Sequence, residues 1–199
     1  MSTFMKKIEF WFSIGSTYTY LSVSRIDQVA KENNISFSWH PFSVRKLMME
    51  MNNIPFTPPE KKVKSDYMWR DIKRRSNDYN LNPKIPVPYP LKEFDLANRI
   101  AILGLEEGWC EEYVKLTYKY WFEEGLEAGS DKCLKTIFHK MEISFNETIN
   151  RANKEDIENK YAEQTNKARE LGIFGSPTFL VDGEIFWGDD RLNDAINWK

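Results

Sequence analysis

Few residues in this chain of 199 are placed to do chemistry, and the first is Ser16. It follows Phe12-Ser13-Ile14-Gly15, where a strand-like pattern gives way to a helix-like one. A hydroxyl at such a turn either caps its own helix or donates a hydrogen bond to a bound anion. By itself it reads as a cap. The second place is Asp189-Asp190, which opens a short terminal helix. Backbone N–H groups there can hold a carboxylate, and the Asp190 carboxylate can pair with an ammonium group. Helix capping with Arg191 as partner is the plainer alternative.

The remaining reactive side chains form no pattern. Cys110 and Cys133 belong to no C-x-x-C pair and read as buried, reduced thiols. Only His40 and His139 could join them, and no zinc spacing is present. Each histidine alone reads as structural or surface. Basic and acidic residues nearly cancel, with a formal net charge of −2, which argues against a nucleic-acid binder. Lys61, Lys62, Lys64, Arg74 and Arg75 have acidic neighbours and read as a solvated helix face. No apolar stretch approaches the roughly 18 residues that would span a bilayer. No apolar signal core follows the lysines near the start, so a cytoplasmic protein, with no membrane partner, is expected.

The elements that must position these residues follow from periodicity. Ile8 to Ser13 alternates as a strand. A helix is expected from Tyr18 to Asn33, with Ser22, Ile26, Val29 and Ala30 on one stripe. Ile35, Phe37 and Trp39 mark a second strand closed by Pro41, completing a βαβ unit. From Phe42 to about Pro90, prolines including Pro55, Pro58 and Pro59 punctuate helices and extended loops. From Glu93 to Arg151 the pattern is helical. Leu96, Ile100, Leu103 and Leu105 share a spacing, and Val114, Leu116, Tyr118, Trp121 and Phe122 form an aromatic cluster that reads as core. Asn153 is placed to cap the last long helix, whose buried face is Ile157, Tyr161, Thr165 and Ala168, and Gly172 ends it. Thr178 to Val181 and Glu184 to Trp187 form a hairpin around Asp182-Gly183.

Two segments carry a resemblance. They are Phe12 to Leu21, and Gly172 to Leu192, which includes Gly175-Ser176-Pro177-Thr178 and Trp187-Gly188-Asp189-Asp190-Arg191. A weaker echo runs through Asn53, Pro55, Lys64, Tyr67, Asp71 and Arg74. Together they resemble the 2-hydroxychromene-2-carboxylate isomerases, a family grouped with the kappa-class glutathione transferases and similar to the periplasmic dithiol oxidases. The resemblance implies an α/β, thioredoxin-like fold with a large all-helical insertion, as in DsbA. Residues 1–41 and 152–199 would form the thioredoxin-like domain and 42–151 the inserted helical domain.

The resemblance also implies glutathione as cofactor, a small aromatic substrate and a homodimer. Ser16 would be catalytic, donating to the glutathione sulfur where redox relatives carry C-x-x-C. Here Ser16-Thr17-Tyr18-Thr19 offers no sulfur, so no internal disulfide chemistry is expected. A hydroxyl and a helix end together would lower the thiol pKa by about one to two units. Ser176 and Pro177, after a cis bond, would face the cysteinyl part of glutathione. Asp189 and Asp190 would hold its γ-glutamyl end, and Asn53 and Lys64 its glycyl end. Trp39, Trp69 or Tyr89 would wall the substrate pocket. The chain departs from the family at Ser16-Thr17-Tyr18, where Ser-Pro-Tyr is usual, and after Tyr89-Pro90, where it runs one residue longer to Arg99. The reaction implied is isomerisation through transient thiolate addition. A kappa-like transferase that conjugates electrophiles and a non-catalytic thioredoxin-like binding module are the alternatives.

Overall fold

The computed structural model describes residues 5–53 and 61–199. Pro55, Pro58 and Pro59 lie outside them. Strand β1 (Lys6–Phe12) leads through helices α1 (Thr19–Val23) and α2 (Ile26–Asn33) to β2 (Ile35–Pro41). Then come α3 (Val44–Glu50), α4 (Lys62–Asp78), α5 (Phe94–Glu107), α6 (Cys110–Glu124), α7 (Asp131–Met141) and α8 (Phe145–Ala152). Helix α9 (Glu155–Glu170) precedes β3 (Thr178–Val181) and β4 (Glu184–Trp187). A single 3-10 turn, Asp189–Arg191, and α10 (Leu192–Asn197) close the chain.

The sheet has the order β2-β1-β3-β4. β1 runs parallel to β2 and antiparallel to β3, and β3 pairs antiparallel with β4. β1 is central, so both its faces are covered: Phe10, Trp11 and Phe12 are all fully buried. On one face Phe10 stacks on Phe12 and Phe179 and meets Trp39 edge-on. On the other, Trp11 stacks on His40 with centroids 4.6 Å apart. Trp39 is therefore part of the sheet core rather than a pocket wall.

Several local expectations hold and several are displaced. The buried residues of α9 are Ile157, Tyr161, Thr165 and Ala168, as the spacing predicts. The helix ends in a left-handed Gly172, with Gly172 N–H donating to Arg169 O and Ile173 N–H to Ala168 O. Its start differs. Lys154 holds the cap position without a side-chain bond, and Asn153 instead closes α8. The helix expected from Tyr18 to Asn33 breaks at Ser24-Arg25, because Arg25 leaves the helical conformation with ψ of 0°. Leu105 is exposed on α5, whereas the cluster from Val114 to Phe122 is buried. Cys110 and Cys133 are buried and free. Burial drives both thiols up, Cys133 to about 12. His139 is exposed in the last turn of α7. Among the described residues no helix is long and apolar enough to cross a membrane.

Candidate functional site

The site begins at the turn that joins β1 to α1. Gly15 has φ of +121°. A Cβ there would lie 2.5 Å from the Phe94 ring, so only glycine lets the turn and α5 approach this closely. Two side chains from the helical block hold the turn. The Ile14 N–H donates to Asn98 Oδ1 at 2.8 Å, and Asn98 Nδ2 donates back to Ile14 O at 2.8 Å and to Phe94 O at 2.9 Å. The Tyr118 hydroxyl lies 3.1 Å from the carbonyls of both Ser13 and Ser16. Asn98 and Tyr118 are buried. Neither is a site candidate by sequence. Asn98 and Arg99 together interrupt the apolar stretch Leu96 to Leu103, and that interruption is the signal that marks Asn98.

Ser16 does not cap a helix. α1 starts three residues later, at Thr19, and Tyr18 holds the cap position without a side-chain bond. The Ser16 hydroxyl instead donates to the Ser176 carbonyl at 2.5 Å. Ser176-Pro177 is a cis peptide. The Ser176 hydroxyl accepts from Ser13 N–H at 2.8 Å and shares a hydrogen bond with Thr19 Oγ1 at 2.9 Å. Chain segments far apart in sequence are thus joined through two serines. Beside them, Gly175 leaves space for the Trp187 indole: a Cβ would come within 2.1 Å of its Nε1. Trp187 packs edge-on against Phe174 at 4.8 Å, and both are exposed.

These groups wall a cavity of about 560 Å³. Ser16, Asn53, Lys64 and Ser176 all line it. Its apolar walls are Met48, Met51, Met68, Leu91, Phe94 and Trp187, together with Tyr89 and Pro90. Of the expected walls, Tyr89 is present, and Trp69 packs edge-on against Tyr89 without lining the space. Two cations, Arg45 and Lys64, reach the lining and no described carboxylate does. Arg45 was not among the candidates from sequence.

An adjoining cavity of about 350 Å³ shares Tyr18, Ser176 and Trp187 with the first. Pro177, Asp189 and Asp190 line it with Asp71, Arg75 and Arg191. Asp190 is exposed and pairs with Arg191 at 2.9 Å. Asp189 is different. Its Oδ1 accepts from Ser22 Oγ at 2.8 Å and Arg25 Nη2 at 2.9 Å; its Oδ2 accepts from Arg75 Nη2 at 2.9 Å and Tyr79 OH at 3.1 Å. With four internal donors, its carboxylate is fully engaged inside the protein. Burial together with Asp189 pushes the Tyr79 hydroxyl up. Burial and the Asp71 carboxylate it donates to at 2.9 Å do the same for Tyr18.

The arrangement offers a hydroxyl, the Ser176 carbonyl it donates to, and cations in an apolar cavity, beside a second cavity of mixed charge. It contains no thiol: among the described residues the two cysteines are buried elsewhere.

A family model for a DSBA-like thioredoxin domain matches residues 7–195. A 2-hydroxychromene-2-carboxylate isomerase of Pseudomonas putida is 22% identical over 185 residues, which are 93% of this chain and 90% of that protein. A protein of the same name from Sphingobium xenophagum is 21% identical over 188 residues, 94% of this chain and 95% of that one. The solved structure of a 2-hydroxychromene-2-carboxylate isomerase superposes with a TM-score of 0.83 at 22% identity, covering 94% of this chain and 91% of that one. The fold is thus a DsbA-like thioredoxin fold with a helical insertion.

Proposed function

This chain belongs to the DSBA-like thioredoxin domain family, and we propose that within it the protein is a glutathione-dependent isomerase of a 2-hydroxychromene-2-carboxylate-like aromatic acid. The observation that carries this reading is the Ser16 hydroxyl, held on the wall of an apolar cavity with no cysteine beside it. The isomerases to which the chain is similar support the same reaction class.

The residues present fit glutathione in three respects. The Ser176 carbonyl, at the cavity wall, can accept from a peptide N–H as an added strand would. The adjoining cavity, with Arg75 and Arg191 near Asp71 and Asp190, suits the ammonium and carboxylate of a γ-glutamyl end. Lys64 and Asn53 stand in the larger cavity, where a glycyl carboxylate would meet a cation. Asp190, not the engaged Asp189, is the acid for the ammonium; Asp189 contributes by fixing the turn.

When bound, glutathione supplies a thiolate that adds reversibly to a conjugated double bond, so that the bond can rotate before the sulfur leaves. Ser16 holds the proton that matters to that sulfur. Its proton rests on a neutral carbonyl. Turning it to an anionic sulfur exchanges a neutral hydrogen bond for a charge-assisted one and releases the Ser176 carbonyl to the ligand. The net gain is about 1 kcal/mol, or somewhat under one unit of thiol pKa. The helix end adds little, because α1 has only five residues and Thr17 and Tyr18 separate it from Ser16. Arg45 and Lys64 supply the rest of the positive field.

Calorimetric titration with glutathione tests the reading. Binding is expected, and Ser16→Ala should raise the thiol pKa of bound glutathione by about 0.7 unit, read from thiolate absorbance against pH. No heat at millimolar glutathione with folded protein would remove the cofactor. A stable conjugate with a chloro-nitro arene, and no isomerised chromene, would make the protein a transferase instead.

A further inference from the structure

Arg45 projects from the first turn of α3 into the larger cavity. Ser43 caps that helix, accepting from Lys46 N–H. The Arg45 Nη2 donates to Leu91 O at 3.1 Å, and the guanidinium lies 4.2 Å over the Phe94 ring. Leu91 and Phe94 both line the cavity. Phe94 also touches Gly15, the neighbour of Ser16. One aromatic ring therefore separates the guanidinium from the turn that carries the hydroxyl.

Glu50, Asp95 and Glu158 share another cavity with Arg45, but none of them forms an ion pair with it. Among the described residues no carboxylate lies within ion-pair distance of Arg45, although the side chain is half-buried against an apolar wall. A guanidinium carries five N–H donors, and among the described residues a single donated bond is seen here. Partial burial of a charge costs free energy unless a partner offsets it. The fork geometry of guanidinium fits a carboxylate, which can accept two parallel bonds. Lys64 is exposed on α4 and serves the glycyl end of glutathione in the reading above.

We propose that Arg45 is the binding residue for the carboxylate of the electrophilic substrate in the larger cavity. This rests on the proposed function only for the identity of the electrophile. The carboxylate would sit on Arg45, the ring system against Phe94 and the methionines Met48 and Met68, and the reacting carbon toward Ser16.

The test uses 2-naphthoate and its neutral counterpart 2-naphthamide as probes, titrated by calorimetry with and without glutathione. Wild-type protein should bind the carboxylate about tenfold or more tightly than the amide. Arg45→Met should bring the two to parity in the titration without glutathione. Arg45→Lys should retain part of the preference, since the charge remains but the fork is lost. Lys64→Met should keep the preference and weaken glutathione. Equal wild-type affinity for the two probes, no binding of either, or a preference that survives Arg45→Met would each overturn the proposal. The wild-type comparison stands even if Arg45→Met fails to fold. Loss of glutathione binding in wild-type protein, with the carboxylate preference intact, would sink the cofactor reading and leave Arg45 as the anion site.

Discussion

His40 shows how one residue's surroundings set a measurable property. It stacks on the buried Trp11, with Glu9 Oε2 3.8 Å from its Nε2 and its Nδ1 buried without a hydrogen-bond partner among the described residues. Burial lowers its pKa; Glu9 opposes the shift, and Lys167 and Lys7 add to it. A histidine held below its ordinary value of 6.5 binds fewer protons folded than unfolded. Stability therefore rises with pH and is complete above 6.5, and it falls as pH drops below that value. His40→Gln should flatten this fall, by up to about 1.4 kcal/mol per pH unit for the one proton removed. Urea unfolding at several pH values from 7 downward, compared with wild type at about unit spacing, measures it; identical slopes would show that His40 does not titrate differently on folding. At the same scale, Ser16 and Ser176, which the structure places on one cavity wall, were legible as candidates because both lie in short signature segments. The engagement of Asp189 was not. Its partners Arg25 and Arg75 lie 164 and 114 residues away, and periodicity carries no information about contacts at that separation. Arg45 escaped for a related reason: an arginine in a charged stretch reads as surface until Leu91 and Phe94 are seen beside it.

Elements whose signals are local were readable, and those fixed by packing were not. The hairpin of β3 and β4 follows from Asp182-Gly183, both at positive φ, and the α9 stripe follows from its spacing. The break between α1 and α2 has no proline or glycine to announce it. Arg25 there donates to Asp189 and lies over the Tyr79 ring, so tertiary contacts accompany the departure from helix. The same dependence makes α5 part of the site. Asn98 satisfies both backbone polar groups of Ile14, in a turn that no sheet bond reaches. Asn98→Ala leaves them buried and unpaired, which costs about 2–5 kcal/mol. The Ile14 amide should then exchange hydrogen much faster than those of β1, and glutathione binding should weaken with it. Retained protection at Ile14 would show that water or a neighbour replaces the clamp.

Across the whole molecule, the Asp189 carboxylate ties together parts that the chain keeps far apart. Ser22 of α1, Arg25 before α2, Arg75 of α4 and Tyr79 after it all converge on it from the helical side, while Asp189 itself opens the terminal turn. The terminal turn and α4 thereby hold the walls of the adjoining cavity, to which Asp189, Asp190, Arg75 and Arg191 all contribute. Two arginines facing one carboxylate leave the cluster with an excess positive charge, tolerable because Arg25 and Arg75 keep 15% and 26% of their side chains exposed. Asp189→Asn keeps the shape and removes the charge. Two guanidinium groups would then face each other with only the exposed Asp190 left near Arg75, a loss of up to about 3–5 kcal/mol, the cost for a fully buried pair. In a chain of this size that lowers Tm by up to roughly 6–20 °C. Arg75→Met in the same background relieves the repulsion, so the double variant should regain part of the loss. A double-mutant cycle by thermal unfolding measures the coupling. If Asp189→Asn melts with the wild type, the cluster contributes nothing to stability and Asp189 does not tie α4 to the terminal turn.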